Sequence, residues 1–367
     1  MKRKYTPKII IKYLIKEFCK SLAIFFSIFF SLIILINYIE EIIFFKVKND
    51  SDSLFFQTLY LSIIKSPTIL INMLPFVFLF SGIFFFAKLI KNNEISPLRL
   101  SGFSQKYISL IPAIFSFLIG VIIIIIITPI SSSLSKYYES TKQKYYLNDN
   151  LIIMSATGIW VKEKKNNFNY IIRADKIENM DFSSLSNITI YKFNNSNKLI
   201  KRVDGKTALI NDKIWTIKNA IISEDNINKK YKETIYETDI DLLKLKSFFI
   251  NPNIFSIWNI TEQISQIKKI GYYGQELIIT LHKYIATPFM LFSMIIISTI
   301  FTLQSNFRFN NYIYSFLGIL VGIVFYFLFD LSIALGKSGK IPLIFSVWLP
   351  IITIMIVSFF SLTRRDL

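Results

Sequence analysis

One histidine, one cysteine and a stretch of mixed polar and apolar residues around Glu94 are where this sequence could hold chemistry. His282 has no second imidazole with which to share a metal or a proton relay. It falls at a helix–membrane boundary, where a polar interfacial residue is its plainest role. Cys19 cannot form an intramolecular disulfide or a thiolate metal site; before the first apolar run it reads as a passive surface thiol, lipidation being the other reading. No G-x-x-x-x-G-K-[ST] phosphate loop occurs. Gly205-Lys206-Thr207 matches the tail of one, but Ile200 stands where its first glycine belongs. No catalytic residue, metal or cofactor is expected from these signals. The remaining candidate is Lys91-Asn92-Asn93-Glu94-Ile95-Ser96-Pro97-Leu98-Arg99-Leu100-Ser101-Gly102-Phe103-Ser104. It joins two apolar runs, carries Ile95, Leu98 and Leu100 as apolar contacts, and ends at Gly102, a residue suited to a helix C-cap. A solvated loop gives the same pattern. The functional reading is a coupling helix at about 92–104, a rigid lever that docks on a separate ATPase and passes its motion to the helices. A carboxylate at Glu94 would be favoured by the helix dipole and could take a charge-assisted bond from arginine.

The elements that must position this segment are membrane spans. Six runs lack Asp, Glu, Lys, Arg and His: Ser21–Ile39, Ser66–Ala87, Tyr107–Ser135, Tyr284–Phe307, Phe309–Phe329 and Ile341–Thr363, between 19 and 29 residues each. About 20 apolar residues at 1.5 Å rise cross the hydrocarbon layer, so six spans are expected, three before and three after a polar segment. Only the fourth and fifth are weakly separated, by Gln304–Asn311. The first run is followed by Asn37-Tyr38-Ile39-Glu40-Glu41 and not by a cleavage site, so it reads as a retained helix. Fourteen Lys and Arg fall on one side of the six-span arrangement: Lys2 to Lys20, Lys88, Lys91, Arg99, Lys106, Arg308, Arg364 and Arg365. The other side has five, Lys46, Lys48, Lys65, Lys337 and Lys340. Both termini are therefore expected in the cytoplasm and the long polar segment outside it. The formal charge of +18 does not imply nucleic acid, because the basic residues are dispersed and form no single stripe.

Residues 136–256 are polar and rich in Asn and Lys, with strand signals. Gly158-Ile159-Trp160-Val161-Lys162 and Phe168-Asn169-Tyr170-Ile171-Ile172 predict a hairpin. Thr207–Ile210, Asn211-Asp212 and Lys213–Ile217 predict a second, and Asn187–Phe193 is a β-branched and aromatic run. Short strands at regular spacing predict an all-β sandwich or jelly roll. Ile257, Ile260, Ile264 and Ile267 recur at helical spacing and predict an amphipathic interfacial helix before the fourth span. The expected organisation is 1–135, an N-terminal membrane half; 136–256, the β domain; and 257–367, the interfacial helix with the C-terminal membrane half.

Glu94, Leu98, Ser101-Gly102-Phe103-Ser104, placed after the second of six spans, resemble the LptF/LptG permeases of lipopolysaccharide export. Gly158–Lys162, Asn167–Ile171, Ile188–Phe193 and Lys213-Ile214-Trp215 resemble that family's periplasmic jellyroll. Gly271, Lys283 and Pro288, then Gly336, Ser338-Gly339, Ile341-Pro342, Trp348 and Pro350, resemble its C-terminal half. Gly-x-Trp-x-Lys and the C-terminal pattern are closer to LptG than to LptF. The resemblance implies a non-catalytic inner-membrane subunit of an ABC exporter. Its implied partners are a paralogous LptF-like permease, an LptB-like ATPase dimer, and LptC-like and bridge proteins that meet the β domain. Lipopolysaccharide is the implied substrate. Glu94, Leu98, Arg99, Leu100, Gly102 and Phe103 are the implied ATPase-coupling residues, with Glu94 as the carboxylate that meets basic residues of the ATPase.

Lipid A phosphates call for Lys or Arg at the outer ends of the helices. Lys136 matches a basic position of the family there, with Lys142 and Lys144 following. Where a lysine is expected near the end of span one the sequence has Asn37, Glu40 and Glu41, so Lys46 and Lys48 could substitute from the rim. Ordinary snorkelling explains each lysine equally. Glu40, Glu41, Lys65 and Asp330 near or within spans are functional candidates, and pairing between helices would also account for them. A secondary transporter and a membrane-anchored assembly protein are the other function classes. Pro75 and Pro129 offer kinks, but the two halves lack the matching broken helices of inverted-repeat transporters.

Overall fold

The computed structural model describes residues 8–46, 54–146, 150–155, 158–165, 168–177, 183–194, 198–211, 213–224, 227–238, 251–269, 274–303 and 311–363. The helices in chain order are α1 (Lys8–Lys46), α2 (Leu54–Lys91), α3 (Ile95–Leu100), α4 (Gln105–Ile122), α5 (Thr128–Tyr146), α6 (Ile257–Lys269), α7 (Gln275–Leu303), α8 (Asn311–Lys337) and α9 (Leu343–Thr363). Between α5 and α6 the described residues form seven strands, β1 (Asn150–Ser155), β2 (Gly158–Lys165), β3 (Phe168–Ile177), β4 (Ser184–Phe193), β5 (Leu199–Asn211), β6 (Ile214–Glu224) and β7 (Ile227–Glu237). The chain divides into two compact units, one of Met1–Ser135 with Ile279–Leu367 and one of Lys136–Ile278. The second takes in α6, which the sequence groups with the C-terminal helices.

Among the described residues five helical stretches are long and apolar enough to cross a membrane: Lys8–Phe45, Phe55–Lys91, Gln105–Lys142, Gln275–Leu303 and Ile313–Lys337. Most of the sixth expected span lies in α9, whose apolar stretch Leu343–Val357 is shorter than those five. Most of the weak separator, 304–310, lies outside the described residues. The outward faces are oily. Ile24, Phe26, Ile28, Leu32, Leu35 and Ile36 of α1 are exposed, as are Ile313, Phe316, Leu320, Val324 and Phe327 of α8. Apolar faces of this extent suit hydrocarbon or another membrane chain and not water.

α4 runs into α5 through one π-helical turn of five isoleucines, Ile123–Ile127. Pro129 follows after Thr128. Its ring would press on the carbonyl four residues back, and the widened turn lies at that carbonyl. The helix therefore continues through the proline expected to kink it. Gly120, just before the turn, lets α4 meet α7: a Cβ there would sit 2.8 Å from the Pro288 Cα.

In the second unit the strands follow one another in order as a single antiparallel meander. Neither the second sheet of a sandwich nor the crossovers of a jelly roll occur among the described strands. The sheet instead curls on itself. Glu163 of β2 is fully buried and accepts hydrogen bonds from the Tyr236 hydroxyl of β7 at 2.9 Å and from Thr238 at 3.0 Å. The Tyr170 and Tyr236 rings meet edge to face at 5.8 Å.

A crease permits the curl. The inward residues of β4 are Leu185, then Ile188 and Ile190; those of β6 are Trp215 and Ile217, then Ala220 and Ile222. Strict alternation would keep one parity along a strand. Here parity slips at Asn187 and at Asn219, whose φ values of 51° and 53° are left-handed, a region asparagine tolerates. In β5, Val203 and Gly205 give way to Ala208 and Ile210 in the same fashion. Ladder pairs are absent at Asn187 and Lys206 between β4 and β5, and at Lys206 and Asn219 between β5 and β6. The slips therefore line up across neighbouring strands. At the fold of the crease, a Cβ on Gly205 would lie 2.2 Å from the Ile217 Cγ2. Arg202 and Thr189 hold Asp204 on the opposite face, and that carboxylate keeps the guanidinium more firmly protonated than usual.

Gly205→Val is expected to destabilise the β unit by about 1–3 kcal/mol through overpacking. Thermal unfolding of the full chain in detergent, followed by the fluorescence of buried tryptophan, checks it; an unchanged midpoint would contradict the crease.

Candidate functional site

The residues from Asn92 to Ser104 form a short helix clamped at both ends. α2 stops because Asn93 adopts φ 56°. The Asn93 amide then donates to the Ile90 carbonyl at 2.9 Å and the Glu94 amide to the Leu89 carbonyl at 2.9 Å. Those are the 5→2 and 6→1 bonds of a Schellman cap. α3 begins at once and ends in the same way. Gly102, at φ 86°, donates to the Arg99 carbonyl, and the Phe103 amide donates to the Leu98 carbonyl. Ser104 then caps α4, its hydroxyl accepting from the Tyr107 amide at 3.5 Å. Two such caps within ten residues leave the backbone little freedom.

A six-residue helix is unstable by itself. What holds α3 is its buried stripe. Ile95, Leu98 and Phe103 enter one apolar cluster with Leu14 and Phe18 of α1, Leu89 of α2 and Ile108 of α4. At about 1.5–3 kcal/mol per buried side chain, three such residues outweigh the cost of nucleating one turn. Leu98 and Phe103 therefore anchor the segment within its own chain and are not free to meet a partner. Leu100 is 89% exposed, and Arg99 is exposed with its guanidinium donating to the Gln105 side chain at 2.6 Å.

Glu94 is partly exposed and held on both oxygens. The Tyr13 hydroxyl of α1 donates to Oε2 at 2.7 Å, and Asn92 Nδ2 donates to Oε1 at 2.9 Å. One turn further along α1, buried Glu17 accepts from Lys20 and, at 2.8 Å, from Lys88 of α2. The sequence reading missed Tyr13, Asn92 and Glu17. A faint signal existed, since Tyr13 and Glu17 are four apart and adjoin the buried Leu14 and Phe18, placing polar groups beside the apolar stripe.

Of the lysines expected to meet lipid A phosphates, only Lys136 and Lys142 have described side chains. Lys136 is exposed on α5. Lys142, on the same helix, donates to the Tyr138 hydroxyl at 2.7 Å with its Nζ 5.1 Å from that ring. Lys48 and the side chains of Lys46 and Lys144 lie outside the described residues. The charges near the spans are better accounted for. Lys65 of α2 pairs with Glu40 of α1 at 2.6 Å, and Asn37 donates to the Ser66 hydroxyl at 3.2 Å. Glu41 is fully buried. Lys283 of α7 lies 5.9 Å from the Phe329 ring of α8. His282 ties α7 to α9, its Nδ1 accepting from the Trp348 indole at 3.4 Å. Among the described residues no three His, Cys, Asp or Glu groups could hold a metal together.

The sequence family described as lipopolysaccharide export system permease LptF/LptG matches residues 12–364. The chain belongs to that family. The match runs through both units, so the helices and the inserted sheet are parts of one permease of lipopolysaccharide export, and it covers LptF and LptG alike. No curated protein sequence matches the chain.

Truncating the anchors of α3 tests what holds it in place. Leu98→Ala and Phe103→Ala are expected to cost about 2–5 kcal/mol each through cavity formation. Leu100→Ser is expected to stay within about 0.5 kcal/mol of the parent. Melting curves in detergent compare the three.

Proposed function

We propose that this permease is the membrane lever of an ATP-driven lipopolysaccharide exporter, with hydrolysis done by a separate LptB-like ATPase dimer docked on α3. The observation that carries the reading is the mounting of α3. Its buried stripe is continuous with the ends of α1, α2 and α4, while Glu94, Arg99 and Leu100 remain on its accessible side. Force applied to such a helix reaches three membrane helices without first deforming a loop. A carboxylate keeps two acceptor sites on each oxygen, so Glu94 with one donor on each can still receive an arginine fork.

The remaining roles follow from that placement. The chain crosses the inner membrane six times, α9 being the last span, with both termini and α3 in the cytoplasm and the curled sheet in the periplasm, as the lysine and arginine distribution supports. Beside a paralogous permease it encloses a cavity that takes lipopolysaccharide from the outer leaflet and passes it to the sheet, to an LptC-like protein and to the periplasmic bridge. Lys46, Lys48, Lys136, Lys142 and Lys144 are the proposed contacts for its phosphates. The curl that brings Glu163 to Tyr236 supports a periplasmic domain in which one sheet covers its own apolar face. The Gly158–Lys162 strand and the C-terminal pattern favour the LptG role; the alternative is LptF in the same complex.

Glu94→Lys is expected to insert normally and to abolish lipopolysaccharide release driven by ATP. The assay is release from proteoliposomes holding the whole complex. Undiminished release by that variant overturns the proposal.

A further inference from the structure

We infer that Tyr13 is a positioning residue of the coupling site, holding the Glu94 carboxylate through its hydroxyl and bringing α1 into the path of force; this rests on the proposed docking of an ATPase at α3. Glu94 would have a fixed backbone without it, since the cap at the end of α2 and the start of α3 settle where its Cα sits. Its side chain is another matter. A glutamate at a partly exposed helix start samples several rotamers, and no bond from its carboxylate caps α3. Tyr13 supplies what the cap does not. Its hydroxyl reaches Oε2 from a residue 81 positions away, on a different helix. Asn92, two residues from Glu94, reaches only Oε1. The tyrosine is thus the one described donor to this carboxylate that comes from α1.

The neighbours of Tyr13 make its position rigid. Leu14 and Phe18, both fully buried, lock this end of α1 into the cluster that also holds Ile95 and Leu98. One turn on, Glu17 fastens the same helix to Lys88 of α2. Tyr13 is 40% exposed, so its packing contributes modestly and its hydroxyl is the specific element. A cation docking on Glu94 would pull on two anchored donors, and one of them is α1 itself. The partner is defined by chemistry as a planar guanidinium, which fits a carboxylate whose two oxygens are already oriented.

The test uses the complete complex, with the paralogous permease and the ATPase, reconstituted with lipopolysaccharide in proteoliposomes. Lipopolysaccharide released per ATP hydrolysed is measured for Tyr13→Phe, Glu94→Gln and the double variant, together with ATPase co-purification and the thermal midpoint. Tyr13→Phe is expected to keep assembly and ATP turnover, to lower the midpoint by no more than about 5 °C, and to lower the release-to-hydrolysis ratio about tenfold, the scale of one hydrogen bond to a charged acceptor. The double variant is expected to be no worse than Glu94→Gln, because Tyr13 acts through that carboxylate. An unchanged ratio in Tyr13→Phe overturns the inference, and so does a double variant whose losses multiply. Glu94→Lys, run alongside, tests the underlying reading. If Tyr13→Phe is normal and Glu94→Lys is uncoupled, the positioning role falls and the docking site stands; if both export normally, the docking site falls as well.

Discussion

The burial of Ile95, Leu98 and Phe103 beside Leu14, Phe18 and Leu89 is the constraint on which the membrane unit depends. Without it α3 would be a six-residue turn with no reason to persist. With it, the ends of α1, α2, α3 and α4 share one packed core, and protein cores transmit displacement because they are close-packed and weakly compressible. The two Schellman caps serve the same end at the level of the backbone. Asn93 and Gly102 spend their left-handed conformations on redirecting the chain within a single turn, so the helix cannot drift relative to the spans it joins. Polar links then lie over this apolar weld: Tyr13 to Glu94, and Glu17 to Lys88.

The β unit solves a different problem with a similar economy. A meander of seven strands with one apolar face would leave that face open. Curling the sheet until β2 meets β7 covers it, and the curl needs every central strand to bend at one level. Parity slips at Asn187 and Asn219 allow the bend while keeping Ile188, Ile190, Trp215 and Ile217 inward on both sides of it. Gly205 is required where strands approach across the fold. Ile190, Val203, Ile217 and Ile222 line the face that the curl covers, together with Lys192 and Lys201.

Much of this was legible in the sequence, for reasons that differ by element. The long helices announce themselves because twenty residues without charge have few other uses. The hairpins of β2 with β3 and of β5 with β6 were readable from β-branched runs separated by polar turns. The curl was not, because it arises from single left-handed asparagines that look like ordinary polar strand residues until burial on either side is known. The expectation of a sandwich or jelly roll assumed that covering an apolar face requires a second layer or a crossover. Around α3 the apolar residues were visible but their direction was not. Leu98 and Phe103 turn inward, while Leu100 turns out. Tyr13 stayed hidden because its partner is 81 residues distant, and no local pattern encodes that pairing. Lys20 and Lys88 were counted only as charges that orient the chain, whereas both also neutralise a buried carboxylate.

In the proposed exporter α3 and the adjoining end of α1 move as one body during ATP turnover. Spin labels at positions 16 and 100, with Cys19 replaced by serine, allow their separation to be measured by pulsed double electron–electron resonance in the reconstituted complex, first nucleotide-free and then vanadate-trapped. An unchanged mean distance in the two states is the predicted result, with no new population appearing. A shift of the distribution between the states would contradict the account, because α3 would then be moving independently of the helix it is held to drive.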